Sequence, residues 1–172
     1  MLVSTCKEEL SEHEFISPVW MLQPEAGFVR GESMLPGDLD DASHIIICGT
    51  ALADFEYLKW DWSWIRSCNK PILGICAGAQ VIAKEFGWNL VKTQRIGVQQ
   101  VKRLKNNPLF EKDANAYFLH SYDISGGEVL AASAGVPAVL KVKDKPIFAC
   151  VFHPEVMNDE IIRNFLKLSD NS

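Results

Sequence analysis

Pro71-Ile72-Leu73-Gly74-Ile75-Cys76-Ala77-Gly78-Ala79-Gln80 carries an apolar run directly into a cysteine with glycine two residues before it and two after it. The run reads as a strand, and residues 79–86 read as a helix that Gly87 ends. Between them the glycines allow a tight elbow that lifts the Cys76 thiol above the sheet edge, as in the related G-x-S-x-G turn. The helix that starts there aims free backbone N–H groups and a positive dipole end at the sulfur, which favours the thiolate form. A nucleophile of this kind needs a base. His153-Pro154-Glu155 follows the apolar run Ile147-Phe148-Ala149-Cys150-Val151-Phe152 and supplies one. In extended backbone, residues two apart face the same way, so Glu155 can hold the His153 imidazole from behind. Cys76, His153 and Glu155 together read as a Cys/His/Glu triad.

Each of these residues has a plainer reading. Free cysteine is among the most buried residue types, and an isolated histidine is usually a satisfied core residue. The flanking glycines and the following helix set Cys76 apart from Cys6, Cys48, Cys68 and Cys150, which lie in apolar runs or near the terminus. Glu155 sets His153 apart from His13 and His44, which have no evident partner, and from His120, expected to be a structural neighbour of the site.

The two motifs and the pieces between them resemble the class I glutamine amidotransferases, most closely the glutaminase subunits of GMP synthetases. The resemblance extends through Asn107-Pro108-Leu109-Phe110, Leu119-His120-Ser121-Tyr122-Asp123, Val129-Leu130-Ala131-Ala132-Ser133 and Lys145-Pro146-Ile147. It runs well from about residue 44 to residue 168 and poorly before that. The resemblance implies hydrolysis of the side-chain amide of glutamine, no metal or organic cofactor, and ammonia passed to a separate ATP-dependent synthetase, with GMP synthesis as the destination. A stand-alone γ-glutamyl hydrolase and a non-catalytic regulatory module on the same fold are the alternatives. A protease of the related same-fold family usually has histidine directly after its cysteine, where this chain has Ala77.

Two backbone N–H groups must meet the oxyanion of a tetrahedral intermediate. Ala77, next after the nucleophile, supplies one by elbow geometry. The second is expected at Gly49, in the turn after Ile45-Ile46-Ile47-Cys48. Here the chain departs from the family's usual Gly-Gly-Pro or Gly-Pro-Gly and reads Gly49-Thr50-Ala51-Leu52-Ala53. The resemblance also assigns Gln80 to substrate contact, and Ser121 and Tyr122 to the segment whose backbone holds the glutamine α-carboxylate. Their plainer readings are a surface helix position and an ordinary strand end.

Composition sets the outer bounds. A chain of 172 residues favours one domain, here 1–172, large enough to bury a core. Apolar residues make up 48% and charged residues 23%, as in an ordinary globular protein. A net charge of −5 without a basic cluster gives nucleic-acid binding little support. No apolar stretch reaches the length of a membrane span, and no signal-peptide core opens the sequence. Five cysteines without C-x-x-C spacing argue against a disulfide framework or a zinc site and suit a reduced, cytoplasmic setting.

Strand–helix alternation around the elbow predicts an α/β fold: a three-layer, flavodoxin-like sandwich with a mainly parallel central sheet and a smaller antiparallel part. Residues 1–4 read as a first strand and residues 45–48 as a buried parallel strand. Thr5-Cys6-Lys7-Glu8 has capping-box form for a short helix ending before Pro18. Residues 19–22 and 28–29 read as strands. Phe55, Leu58, Trp62 and Ile65 fall at helical spacing, with Asp54 as N-cap and Trp60, Trp62 and Trp64 as packing residues. Residues 98–143 read as short, partly antiparallel strands, and Ile161, Ile162, Phe165 and Leu166 as the stripe of a closing helix.

Overall fold

Alternation along the central strands divides the interior between two faces of one sheet. A computed structural model describes residues 1–169, so the last three residues of the expected 1–172 domain lie outside it. In chain order the elements are β1 (Leu2–Ser4), α1 (Glu9–Phe15), α2 (Ser17–Leu22), β2 (Phe28–Arg30), β3 (Ile45–Ile47), α3 (Trp64–Ser67), β4 (Ile72–Ile75) and α4 (Ala77–Glu85). There follow β5 (Asn89–Arg103), β6 (Ala114–Ser125), β7 (Glu128–Ser133), β8 (Val136–Lys141), β9 (Ile147–Cys150), α5 (Pro154–Met157) and α6 (Asp159–Phe165), with short 3₁₀ turns at Gly31–Ser33, Pro36–Leu39 and Glu56–Lys59.

The strands form one nine-stranded sheet in the order β2-β1-β3-β4-β9-β8-β7-β5-β6. The first five in that order pair in parallel, and the remaining ladders are antiparallel. Because successive side chains point to opposite faces, Leu2, Ile46, Leu73, Ile75 and Phe148 join a core with Ile16, Val19, Ile161 and Phe165. Val3, Ile45, Ile47, Ile72 and Ile147 join a second core with Ile65, Val81 and Ile82. Helices α2 and α6, with Ile16 at the α1–α2 junction, therefore cover one face, and α3 and α4 the other. This is the expected three-layer α/β architecture. Among the described residues no helix is long and apolar enough to cross a membrane.

Several local expectations are corrected. Residues 19–22 belong to α2, whose first turn holds Pro18, a position where the missing N–H costs nothing. The capping box at Thr5 does not form: α1 starts at Glu9 without a side-chain cap, and the Thr5 hydroxyl donates to the Cys48 carbonyl at 2.9 Å. The helix expected through Phe55, Leu58, Trp62 and Ile65 is broken into the 3₁₀ turn Glu56–Lys59 and α3. Trp62 explains the break, since its indole is buried and donates to the Tyr57 carbonyl at 2.8 Å, folding the chain back on itself. The antiparallel part is built on long strands, 15 residues in β5 and 12 in β6, because alternation continues across a bulge between Lys92 and Arg95. Helix α4 starts two residues earlier than read from sequence, and Gly87, at φ +68°, follows it as expected.

Candidate active site

Three neighbouring parallel strands, β3, β4 and β9, release the chain at their carboxyl ends at Gly49, Cys76 and His153. This is the edge where open α/β sheets place ligands. Cys76 sits between β4 and α4 with φ 50° and ψ −102°, a backbone state that costs a non-glycine residue about 1–3 kcal/mol. The strain is held by packing. A Cβ at Gly74 would lie 2.5 Å from the Gly78 carbonyl, and one at Gly78 would lie 2.1 Å from the Ile47 oxygen, so neither position admits a side chain. The Cys76 N–H donates to the Cys150 carbonyl at 2.8 Å, which locks the elbow to β9.

The Cys76 side chain is nearly enclosed, with the residue 4% exposed and its sulfur 3.3 Å from the Leu119 carbonyl of β6. Ala77 opens α4, so its N–H has no acceptor within the helix. Gly49 lies against both reacting groups: a Cβ there would stand 2.9 Å from His153 Cε1 and 3.4 Å from Cys76 Cβ.

His153 is fixed from several sides. Its N–H donates to the Tyr117 carbonyl at 2.9 Å, and its ring packs against Phe15 and Tyr117 at 5.8 and 6.4 Å between centroids. Nδ1 meets Glu155 Oε1 at 2.7 Å, both side chains being at most 3% exposed. A carboxylate only accepts, so the proton between them sits on Nδ1 and Nε2 is turned to other work. Nε2 is buried and makes no hydrogen bond of ordinary geometry. Burial works against a charged imidazole, yet the nearby negative sulfur of Cys76, followed by the Glu155 carboxylate, outweighs it and raises the His153 pKa well above its ordinary value. The pairing arises differently from the sequence reading. Glu155 lies in the first turn of α5, and a helical turn after Pro154, not extended backbone, brings it under the ring.

Of the other cysteines, burial raises the thiol pKa of Cys6, Cys48 and Cys150, which suits inert core groups. Gln80 is no surface residue; it is 2% exposed, and its Oε1 accepts from the Tyr57 hydroxyl at 2.6 Å. Burial raises the Tyr57 pKa and keeps that hydroxyl protonated as a donor. The Ser121 hydroxyl donates to the Leu52 carbonyl at 3.4 Å, and Tyr122 meets Phe55 edge-on at 5.7 Å. His120 lines the same space and binds Asp123 at 2.9 Å; burial lowers its pKa against the opposing pull of that carboxylate.

Tyr57, Cys76, Ala77, Gln80, His120 and Ser121 line a cavity of about 10 Å³, room for roughly one water. A larger cleft lined by Gly31, Met34, Asp61, Trp64 and Lys70 lies elsewhere and contains none of the predicted site residues. Sequence reading missed Tyr57, one aromatic among alternating charged and apolar residues, Asp54-Phe55-Glu56-Tyr57-Leu58-Lys59, with nothing local to tie it to Gln80. It also missed Asp54 as a tie for the loop after β3. Asp54 does not cap a helix; it accepts from the Lys7 N–H, the Thr50 hydroxyl and the Glu56 N–H at 2.8, 2.9 and 3.1 Å. An aspartate two residues before a helical turn was the available signal.

Known proteins resemble this chain in sequence and in fold. The family model for glutamine amidotransferase class-I matches residues 39–169. GMP synthase (glutamine-hydrolyzing) of Thermosipho africanus is 34% identical over 142 residues, 75% of this chain and 28% of that protein. A GMP synthase (glutamine-hydrolyzing) subunit from Methanocaldococcus jannaschii is 36% identical over 113 residues, 57% of this chain and 60% of that one. The chain thus spans under two thirds of the length of these relatives. A crystal structure from Thermoplasma acidophilum, provisionally described as a GMP synthase subunit, shares the fold with a TM-score of 0.80 at 24% identity, over 96% of this chain and 92% of that one. A glutamine amidotransferase from Thermotoga maritima does so with a TM-score of 0.69 at 16% identity, over 97% and 81%.

Proposed function

This chain belongs to the class I glutamine amidotransferase family, and we propose that it hydrolyses the side-chain amide of glutamine with Cys76, His153 and Glu155. The observation that carries the reading is the His153 ring, tied at Nδ1 to Glu155 at 2.7 Å and left free at a buried Nε2 beside the sulfur. In the proposed reaction the Cys76 thiolate adds to the carboxamide carbon, and the carbonyl π electrons move to oxygen. The Ala77 and Gly49 N–H groups receive that oxyanion. The His153 imidazolium gives its Nε2 proton to the amide nitrogen, the C–N bond breaks and ammonia leaves a γ-glutamyl thioester. His153, now neutral, takes a proton from water as it adds to the thioester; collapse expels the sulfur and releases glutamate. Glu155 holds the ring and stabilises its cationic form without taking the proton.

The ammonia acceptor is proposed to be a separate ATP-dependent synthetase that aminates XMP. Support comes from relatives at 35–36% identity that are named as subunits of GMP synthase, each a separate chain. The one-water cavity adds a physical reason for partner dependence: glutamine enters only when the loop of residues 49–55 moves, and docking of a partner is a way to drive that motion. The test is steady-state ammonia release from glutamine, alone and with the synthetase, ATP and XMP, together with co-elution of the two chains. Low release that rises with the synthetase is the expected result. High release unchanged by any partner would identify a stand-alone hydrolase. No release under either condition, with Cys76 unmodified by a glutamine-analogue electrophile, would refute catalysis.

A further inference from the structure

The loop after β3 reads Gly49-Thr50-Ala51-Leu52-Ala53, and its two ends are held by a single side chain. Asp54 Oδ2 accepts from the Thr50 hydroxyl at 2.9 Å and from the Lys7 N–H at 2.8 Å, while Oδ1 accepts from the Glu56 N–H at 3.1 Å. The Asp54 N–H also donates to the Ala51 carbonyl at 2.9 Å, closing residues 51–54 into a turn. Lys7 belongs to a strap, residues 5–7, that runs beside the loop: the Thr5 hydroxyl donates to the Cys48 carbonyl at 2.9 Å, and Cys6 Sγ lies 3.7 Å from the Gly49 carbonyl. Arg30 fixes the strap in turn, donating to the Cys6 and Lys7 carbonyls at 3.1 and 2.8 Å while pairing with Glu12 at 3.0 Å. The ends of the loop are therefore bound at several points by charge-assisted or buried hydrogen bonds, which are the stronger kind. At its tip the Leu52 carbonyl accepts from the Ser121 hydroxyl of β6 at a long 3.4 Å, and Phe55, next after Asp54, meets Tyr122 edge-on.

We propose that Asp54 is a positioning residue for hydrolysis: its carboxylate clamps Thr50 and the 5–7 strap so that the Gly49 N–H stands at the oxyanion position while the loop tip stays free to open. The proposal rests on the reading that Gly49 supplies an oxyanion donor. Asp54 makes its hydrogen bonds to Lys7, Thr50 and Glu56, none to the triad, and acts through Gly49. The carboxylate fixes the loop by hydrogen bonding from the wall of the cavity that Cys76 also lines, without a hydrogen bond to the sulfur.

Two measurements on the full chain test this. Amide hydrogen exchange followed by mass spectrometry reads the clamp independently of activity. Asp54→Ala is expected to speed exchange in peptides covering residues 5–7 and 48–56 while leaving β4 and β9 unchanged; unchanged loop exchange overturns the clamp. Kinetics read its consequence. Asp54→Ala is expected to lower kcat about 10- to 100-fold, part of what deletion of a whole oxyanion donor costs, with KM for glutamine changed less than about threefold. Alkylation of Cys76 by iodoacetamide, a displacement that builds no oxyanion, should not fall, and it rises if the freed loop opens the cavity more often. A parallel fall in alkylation would show that the thiolate, not the oxyanion site, was damaged, and would overturn the proposal. Asp54→Asn, which keeps one acceptor oxygen, should fall between wild type and Asp54→Ala on both readouts. Should Asp54→Ala fail to fold, Thr50→Val removes one of the clamp's donors and must shift both in the same direction. A wild-type chain that releases no ammonia with or without the synthetase refutes the hydrolysis reading and the catalytic half of this proposal, whereas the exchange experiment still decides the clamp itself.

Discussion

Gly49→Ala is the smallest change that tests whether the loop after β3 and the triad form one unit. The added Cβ would stand 2.9 Å from His153 Cε1 and 3.4 Å from Cys76 Cβ. Carbon atoms at rest lie about 3.5–4.0 Å apart, so the ring or the loop must give way by roughly 0.6 Å or more. His153 cannot yield easily, being held by Glu155 and the Tyr117 carbonyl at 2.7 and 2.9 Å and packed on Phe15. Overpacking of this kind costs about 1–3 kcal/mol, which for a domain of this size is roughly 3–9 °C in Tm. A displacement approaching 1 Å at reacting groups can cost on the order of 100-fold in rate, so kcat should fall about 10- to 100-fold while the protein remains folded at 25 °C. The assay pairs ammonia release with thermal unfolding. Gly37→Ala serves as control, since its Cβ would meet only Asp40 Oδ2, at 3.9 Å, and neither activity nor Tm should move. Gly49→Ala with wild-type kcat would refute the steric argument, and a large Tm loss without loss of kcat at 25 °C would separate packing from chemistry.

Cys76→Ala should abolish glutamine hydrolysis with the fold kept, and a glutamine-analogue electrophile should label Cys76 alone; mass-spectrometric labelling of Cys48 or Cys150 would show that the wrong thiol was chosen. Glu155→Gln should reduce kcat less than His153→Ala, because the carboxylate orients the ring while the ring moves the protons; equal losses in steady-state assays would contradict that division. The raised His153 pKa has a signed consequence for stability, contributing fully below the unfolded value near 6.5 and fading as pH rises through the folded value. Urea unfolding of wild type and His153→Gln from pH 6 upward should therefore show a gap that narrows with rising pH, and parallel curves would refute the charged imidazole.

The legible parts of this fold were those where one local rule acts without competition. The runs into Cys76 and into His153 are unbroken apolar segments of strand length, so each reads as a buried strand. Glycine at 74 and 78 pointed to the elbow because close backbone approach admits no other residue, and the 2.1 Å clearance at Gly78 is the physical form of that signal. Illegible parts were decided by tertiary partners. Val19 reads as strand by its side chain and is helical because Pro18 fits a first turn and Val19 packs under the sheet. The helix through Phe55 and Ile65 has the right spacing and is broken by one indole that finds its acceptor five residues back. Gln80 looked like a surface residue from its position on α4 alone, because the Tyr57 hydroxyl that buries it comes from another element.

The geometry divides the site into a part that is ready and a part that is not. His153, Glu155 and the elbow need no rearrangement: the ring is bound on one nitrogen, and the thiol is fixed by a strained backbone that packing holds in place. Preorganised charge of this kind is what lowers a barrier, since no dipole has to turn during the reaction. Access has the opposite character. The space beside the sulfur holds about one water, and one of its walls is a loop whose Leu52 tip meets β6 through a long hydrogen bond from Ser121. Weak contacts at the tip and strong ones at the base let the wall swing while the Gly49 end keeps its place beside the triad. On the proposed reaction, this arrangement puts control at entry rather than in the chemistry. That is the arrangement expected where free ammonia is wasted unless an acceptor stands ready.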